Sequence, residues 1–231
     1  MITFLVPTFN EKLNINVFIN TINNLELKYK HNILFVDDNS QDGTIAELEK
    51  AKKEFSNVDY LVRIKKNRDL TQSLVLAINH LKEKYTLVMD CDLQHDYKKI
   101  EIFIDSMVKY NYDLVIGSRF VKDGQNILMN KRRILESKLG ILLCKFLGIK
   151  NVADPLSGFF IVKSEFLLNA KDNIRTRGFK ILLTILYLYK NKIKLNEVPI
   201  KFNRRMYEKS KLNLKIKIYF IEQIIRLKLN F

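Results

Sequence analysis

The chain has 231 residues, 47% of them hydrophobic, with only 7 Gly and 3 Pro; this suits one α/β domain with an appendage and excludes a disordered or fibrous polypeptide. Its formal charge of +15 calls for an anionic partner such as nucleic acid, anionic lipid or a phosphate-rich substrate. Two cysteines, Cys91 and Cys144, exclude a disulfide framework and a zinc site and suit a reducing compartment.

In chain order, Ile2–Val6 reads as a strand, Glu11–Leu25 as a helix and Asn32–Val36 as a strand. Thr44–Phe55 follows as a helix, Tyr60–Ile64 as a strand and Leu70–Lys82 as a helix. Tyr85–Met89 is the fourth strand, Lys98–Tyr110 a helix and Asp113–Ile116 the fifth strand. This alternation predicts an α/β fold with a mostly parallel sheet and helices on both faces. Arg133–Leu147 then reads as a helix, Phe159–Val162 as a strand, Gly178–Lys190 as an apolar helix and Ile193–Val198 as a strand. Leu214, Ile218, Ile221, Ile225 and Leu229 form a helical stripe in a final basic segment, open to either core or membrane contact. The expected organisation is one domain over residues 1–210 and a basic amphipathic helix over 211–231.

From Lys201 to Phe231 nine Lys or Arg face two acids, interleaved with Ile, Leu, Phe and Tyr, a pattern that suits a membrane surface better than a nucleic-acid duplex. A spanning helix needs roughly 20 apolar residues. The longest clean run near the end, Ile181–Tyr189, is bracketed by Lys180 and Lys190, so a peripheral rather than a spanning protein is expected. No leader is expected either, because the first apolar run is short and meets Pro7.

The chemistry concentrates where strands end. Asp90-Cys91-Asp92 closes the fourth strand, and strand positions i and i+2 share a side, so both carboxylates are expected to face one site with Gln94 continuing the series. Two carboxylates and an amide oxygen suit Mg²⁺ or Mn²⁺, and such an ion would hold a diphosphate. The plainer alternative is a solvated loop. Asp37 and Asp38, in Asp-Asn-Ser-x-Asp-Gly, carry turn chemistry as their own alternative. His31, His80 and His95 show no metal-ligand pattern and read as structural, with His95 near enough in sequence to the acidic pair to support it.

Val6-Pro7-Thr8-Phe9-Asn10-Glu11, the segment Val36 to Thr44 and Asp90-Cys91-Asp92-Leu93-Gln94-His95 together resemble glycosyltransferase family 2 of the GT-A fold. Ile116-Gly117-Ser118-Arg119-Phe120, Asp154-Pro155-Leu156-Ser157-Gly158-Phe159, Gly178-Phe179-Lys180 and Arg205-x-Tyr207-x-x-Ser210-Lys211-Leu212 are similar to one branch, the dolichyl-phosphate mannose synthase-like polyprenyl-phosphate hexosyltransferases. The resemblance runs from residue 3 to about 212. It implies a nucleotide-sugar donor near Pro7, Phe9, Glu11, Val36 and Asp38, with Asp90, Asp92 and Gln94 holding a metal on its diphosphate. It also implies a polyprenyl phosphate acceptor held by Arg119, Arg132 or Arg133, Lys180, Arg205 and Lys211. Asp92, Arg119 and Arg205 would be the catalytic set. A lipid phosphate is already an anionic nucleophile, so inversion by direct displacement would need cations rather than a general base. The chain departs from the branch at Asp69-Leu70-Thr71-Gln72-Ser73, where a Gly-rich segment is usual, and at Glu208 and Asp96, where Gly and Pro are common.

Three rivals remain at this level. A processive family 2 enzyme is disfavoured because the chain has no Trp for a Gln-x-x-Arg-Trp motif. Transfer to a glycan hydroxyl would need a base, for which Asp154 is the candidate. A non-catalytic basic binding module accounts for the charge, but the chain carries no nucleic-acid motif. The expected protein works on the cytoplasmic face of a membrane, through its apolar-basic helices or beside a separate membrane-anchor subunit.

Overall fold

The computed structural model describes residues 1–65, 68–124, 131–174, 180–203 and 214–229, without the side chains of 131–133 and 214–216. Among the described residues one sheet holds β1 (Ile2–Thr8), β2 (His31–Asp37), β3 (Val58–Val62), β4 (Tyr85–Val88), β5 (Leu114–Ser118), β6 (Phe160–Lys163) and β7 (Leu195–Pro199). The helices are α1 (Ile15–Asn23), α2 (Thr44–Glu54), α3 (Leu70–Ile78), α4 (Ile100–Tyr110), α5 (Lys131–Phe146), α6 (Ser164–Ala170), α7 (Ile181–Tyr189) and α8 (Leu214–Leu229). The strand order is β3-β2-β1-β4-β6-β5-β7. β1 pairs in parallel with β2 and β4, β2 with β3, and β5 with β7, while β6 runs antiparallel between β4 and β5. The mostly parallel sheet read from the sequence is therefore present, with β6 as its reversed strand.

Every residue of β1 is buried, as a central strand covered on both faces requires. Phe4 and Val6 pack one way with Ile15, Phe18 and Ile22 of α1, Leu48 of α2 and Phe103 of α4. Leu5, between them, packs the other way with Leu74 of α3, Cys144 of α5, Leu167 of α6, Leu183 of α7 and Ile224 of α8. Pro7 lies past Leu5, where the pairing with β4 ends, so its missing N–H breaks no bond on that side.

Differences from the expected elements have local causes. α1 begins at Ile15 rather than Glu11 because the preceding loop is stitched to the β2–α2 turn: Asn10 N–H donates to Ser40 Oγ at 2.7 Å and Glu11 N–H to Thr44 Oγ1 at 2.9 Å. α6 was not expected; its seven residues bury only Ser164, Leu167 and Ala170, too short a pattern to stand out. The apolar helix α7 is core, buried from Ile181 to Leu186. α8 carries two apolar faces. Ile224 and Leu227 enter the core, and the stripe Ile218, Ile221, Ile225 and Leu229 stays exposed.

Gly117 in β5 lets two aromatic rings meet above the sheet. A Cβ there would lie 2.8 Å from Phe159 and 2.9 Å from Phe103, inside any real contact.

Candidate active site

β1, β2 and β4 are parallel, so their carboxyl ends share one edge. The chain leaves β1 toward β2 on one side, while β4 lies on the other, which opens a crevice at this switch point. The loops after β1, β2 and β4 are those carrying Phe9 and Glu11, Asp37 and Asp38, and Asp90 and Asp92.

On the β2 side the two aspartates divide their work. Asp37 is fully buried and serves the turn: its carboxylate accepts from Ser40 N–H at 2.7 Å, Ser40 Oγ at 2.6 Å and Thr8 Oγ1 at 3.0 Å. Burial still raises its pKa above the usual carboxylate range, against those hydrogen bonds. Asp38 instead accepts from Arg63 Nε at 2.6 Å, Ser73 Oγ at 3.0 Å and the Asp69 N–H. Asp69 caps α3 by accepting from Gln72 N–H at 3.3 Å. The segment that replaces the Gly-rich pattern is therefore a capped helix start that orients Asp38. Arg68 lies over the Phe9 ring, its guanidinium carbon 4.2 Å from the centroid. Burial lowers the Arg68 pKa, while Asp38 and Glu11 act in the opposite direction. Phe9, Glu11, Asp38 and Arg68 thus form one group at the β1–β2 end. Sequence reading missed Arg63, Arg68 and Ser73.

On the β4 side the chain leaves the strand at Val88, so the acidic pair sits in a turn and the strand alternation does not apply to it. Asp90 keeps its side chain 47% exposed, and its Oδ2 lies 3.3 Å from His95 Nε2. Asp92 is buried, and its Oδ1 accepts from Gln94 N–H at 3.1 Å while Leu93 takes a left-handed φ of 55°. Gln94 Nε2 donates to Asn203 O at 3.0 Å, and Asn203 N–H returns a bond to Gln94 O at 2.8 Å. Asp96 accepts from Lys201 N–H at 3.3 Å, a second tie between this loop and the chain after β7.

The second half contributes the cations. Arg119, just after β5, forks onto buried Asp154, with Nε at 2.7 Å from Oδ2 and Nη2 at 2.9 Å from Oδ1; its backbone N–H also reaches Oδ2 at 3.1 Å. Asp154 is thereby engaged as an ion-pair partner rather than standing ready as a base. Its loop is held by Glu197 on β7, which accepts from Ala153 N–H at 2.8 Å and Asp154 N–H at 3.0 Å. Lys180, before α7, donates to Leu156 O at 2.7 Å. Burial pushes its pKa down to about 8, with Arg119 adding to the shift and Asp154 and Asp90 opposing it. Lys180, Arg119, Asp154 and Asp90 therefore share one electrostatic neighbourhood. Arg205 and Lys211, with Gly178 and Phe179 of the motif before Lys180, lie outside the described residues, as do the side chains of Arg132 and Arg133 at the start of α5.

Among the described residues no group of three or more His, Cys, Asp or Glu gathers as metal ligands. Asp90 and Asp92 with the Gln94 amide are hard oxygen donors, which fits Mg²⁺ or Mn²⁺ whose remaining ligands come from a diphosphate and water.

Residues 3–169 match the profile of glycosyl transferase family 2. A dolichol-phosphate mannosyltransferase of Pyrococcus furiosus is 32% identical over 98% of this chain, which spans 63% of that relative's length. The enzyme of the same name from Saccharomyces cerevisiae is 29% identical over 95% of this chain and 84% of its own. Among solved structures, glucosyl-3-phosphoglycerate synthase of Mycobacterium tuberculosis, crystallised with Mn²⁺, UDP-glucose and phosphoglyceric acid, superposes with a TM-score of 0.69 at 16% identity; all of this chain and 79% of that one are covered. S. aureus TarS with UDP-GlcNAc superposes with a TM-score of 0.66 at 14% identity, covering 99% of this chain and 66% of that one. The mostly parallel sheet with its flanking helices is that of the GT-A fold, and with the profile match over most of its length the chain belongs to glycosyl transferase family 2.

Proposed function

We propose that this chain moves a hexose from a nucleotide-sugar to a dolichyl or other polyprenyl phosphate, with inversion, at the cytoplasmic face of a membrane. The observation that carries the reading is that Lys180, fixed by its bond to Leu156 O, lies within electrostatic reach both of Asp90 in the donor loop and of the Arg119–Asp154 pair. A pyrophosphate leaving group and a phosphate nucleophile must lie side by side, and this is where carboxylates for a cation adjoin fixed positive charge. The names of the relatives, dolichol-phosphate mannosyltransferases of Pyrococcus furiosus and Saccharomyces cerevisiae, support the acceptor class.

In this reading Phe9, Glu11 and Asp38 hold the base and ribose, with Pro7 and Val36 shaping the floor beneath them. Asp90, Asp92 and the Gln94 carbonyl would hold Mg²⁺ or Mn²⁺, which supplies neutralisation of the departing diphosphate. Arg119 and Lys180, with Arg205, Lys211 and Arg132 or Arg133, would hold the acceptor phosphate. Lys180 is charged below about pH 8, so its part in holding that anion belongs to neutral pH. The acceptor oxygen arrives already ionised, and the residues around it orient it and exclude water. The test is release of nucleoside diphosphate by the purified chain with Mn²⁺ and a panel of GDP- and UDP-sugars, with and without a short polyprenyl phosphate. Lipid-dependent release is expected; release indifferent to the lipid phosphate would move the acceptor to another class.

Membrane contact is assigned to α5 and α8, which bear exposed Leu135, Leu139, Leu142 and Phe146, and Ile218, Ile221, Ile225 and Leu229. They range from 45% exposed at Ile221 to 69% at Leu135. Lys217 of α8 pairs with Glu136 of α5 at 2.7 Å, and Lys228 lies over the Phe146 ring at 4.7 Å, so the helices are neighbours. Among the described residues no helix is long and apolar enough to cross a bilayer. An apolar face bordered by Lys138, Lys145, Lys217, Arg226 and Lys228 suits an anionic lipid surface. Ile221→Asp with Ile225→Asp is expected to weaken co-sedimentation with phosphatidylserine vesicles at least tenfold and leave the melting temperature unchanged. Vesicle binding seen only with a membrane-anchor subunit present would assign the face to that subunit.

A further inference from the structure

His95 is a buried imidazole beside an exposed carboxylate. It is 3% exposed, and Asp90 Oδ2 lies 3.3 Å from its Nε2. Its Nδ1 is buried with no hydrogen-bond partner. Those two facts set the tautomer: a lone pair on Nε2 would face carboxylate oxygen, and an N–H on Nδ1 would be buried without an acceptor. The hydrogen belongs on Nε2, donating to Asp90.

The ring itself is clamped. It stacks on Phe159 with centroids 5.0 Å apart, and Phe159 stacks on Phe103 of α4 at 4.6 Å. Phe202, after β7, meets its edge at 5.8 Å. The column runs from the core to the acidic loop, and Gly117 accommodates it. Gly117 leaves space for Phe159 and Phe103, and the Gly158 backbone runs alongside, where a Cβ would make only ordinary contact with Asp90 Oδ2 at 3.5 Å and His95 Nε2 at 3.7 Å. Lys180 also acts on Asp90, but through charge at longer range. The stacked imidazole is a rigid hydrogen-bond partner for it.

We propose that His95 is the positioning residue of Asp90: its Nε2–H holds one carboxylate oxygen, so that Asp90 meets a diphosphate-bound cation in one fixed orientation. This rests on the nucleotide-sugar reading above. His95→Phe keeps an aromatic ring on Phe159 and deletes the donor. Mn²⁺ affinity, measured by electron paramagnetic resonance with GDP or UDP present, is expected to fall about 10–100-fold with the melting temperature kept. Unchanged Mn²⁺ affinity in the variant would reduce His95 to packing and leave the enzyme reading intact. Wild-type protein that holds no Mn²⁺ with either nucleotide would overturn both. A measurement independent of the variant's folding is the ¹⁵N spectrum of the wild-type imidazole. Hydrogen on Nε2 is expected, and hydrogen on Nδ1 would refute the assignment.

Discussion

Asp92→Asn is expected to lower kcat by about 10³-fold while the protein stays folded. Asp92 is buried in the turn after β4 and accepts the Gln94 N–H through Oδ1. An asparagine retains the shape and an acceptor oxygen for that bond, so the Leu93 turn, with its left-handed backbone, survives. What is lost is half of the carboxylate charge offered to a cation on the diphosphate. Lewis-acid stabilisation of a leaving group contributes several kcal/mol. At roughly 1.4 kcal/mol per tenfold, losing about 4 kcal/mol gives the predicted drop. Asp37→Asn, at another buried aspartate of the same sheet edge, is the informative contrast. Asp37 spends its oxygens on Ser40 and Thr8, so its loss should act on stability rather than on Mn²⁺ affinity. Nucleoside diphosphate release under saturating donor and Mn²⁺ separates the two. Turnover of Asp92→Asn within tenfold of wild type would remove it from the metal site.

The contrast also shows what the sequence made legible. Strand ends and turns are local, so apolar runs ending at Val6, Val36 and Met89, each followed by polar and acidic residues, locate the crevice edge. Strand periodicity makes Asp90 and Asp92 equivalent, but the strand stops at Val88 and the pair lies in a turn that exposes one carboxylate and buries the other. Partnerships over long separations were beyond reach. Arg63 meets Asp38 across 25 residues, and Arg119 meets Asp154 across 35. Periodicity identified the apolar stripe of α8, yet a helix with two apolar faces does not reveal which one is buried. Ile224 and Leu227, outside the stripe, took the core. The departure at Asp69–Ser73 looked like a weakened motif and is a helix cap that braces Asp38.

Asp154→Ala is expected to destabilise the protein by about 3–5 kcal/mol, the usual cost of removing one partner from a buried ion pair. For a chain of this length that corresponds to a fall in melting temperature on the order of 10 °C. Asp154 is fully buried and the Arg119 side chain is only 14% exposed, so the variant strands a guanidinium in a site that water barely reaches. The pair is also part of a longer bracket. Glu197 fixes the Asp154 backbone, Ser157 Oγ donates to Gly117 O at 2.8 Å, and the Arg119 guanidinium lies 5.6 Å from the centroid of the Phe202 ring that abuts His95. Activity should therefore collapse along with stability, and the two effects must be pulled apart. The double variant Arg119→Met, Asp154→Leu replaces the pair with apolar groups of similar size, which commonly restores or exceeds the original stability. If Arg119 serves the acceptor phosphate, this double variant regains the melting temperature and remains inactive, with donor and Mn²⁺ binding preserved. Activity returning with the fold would make the pair a brace alone and pass the acceptor phosphate to Lys180 and the basic residues of the late motif.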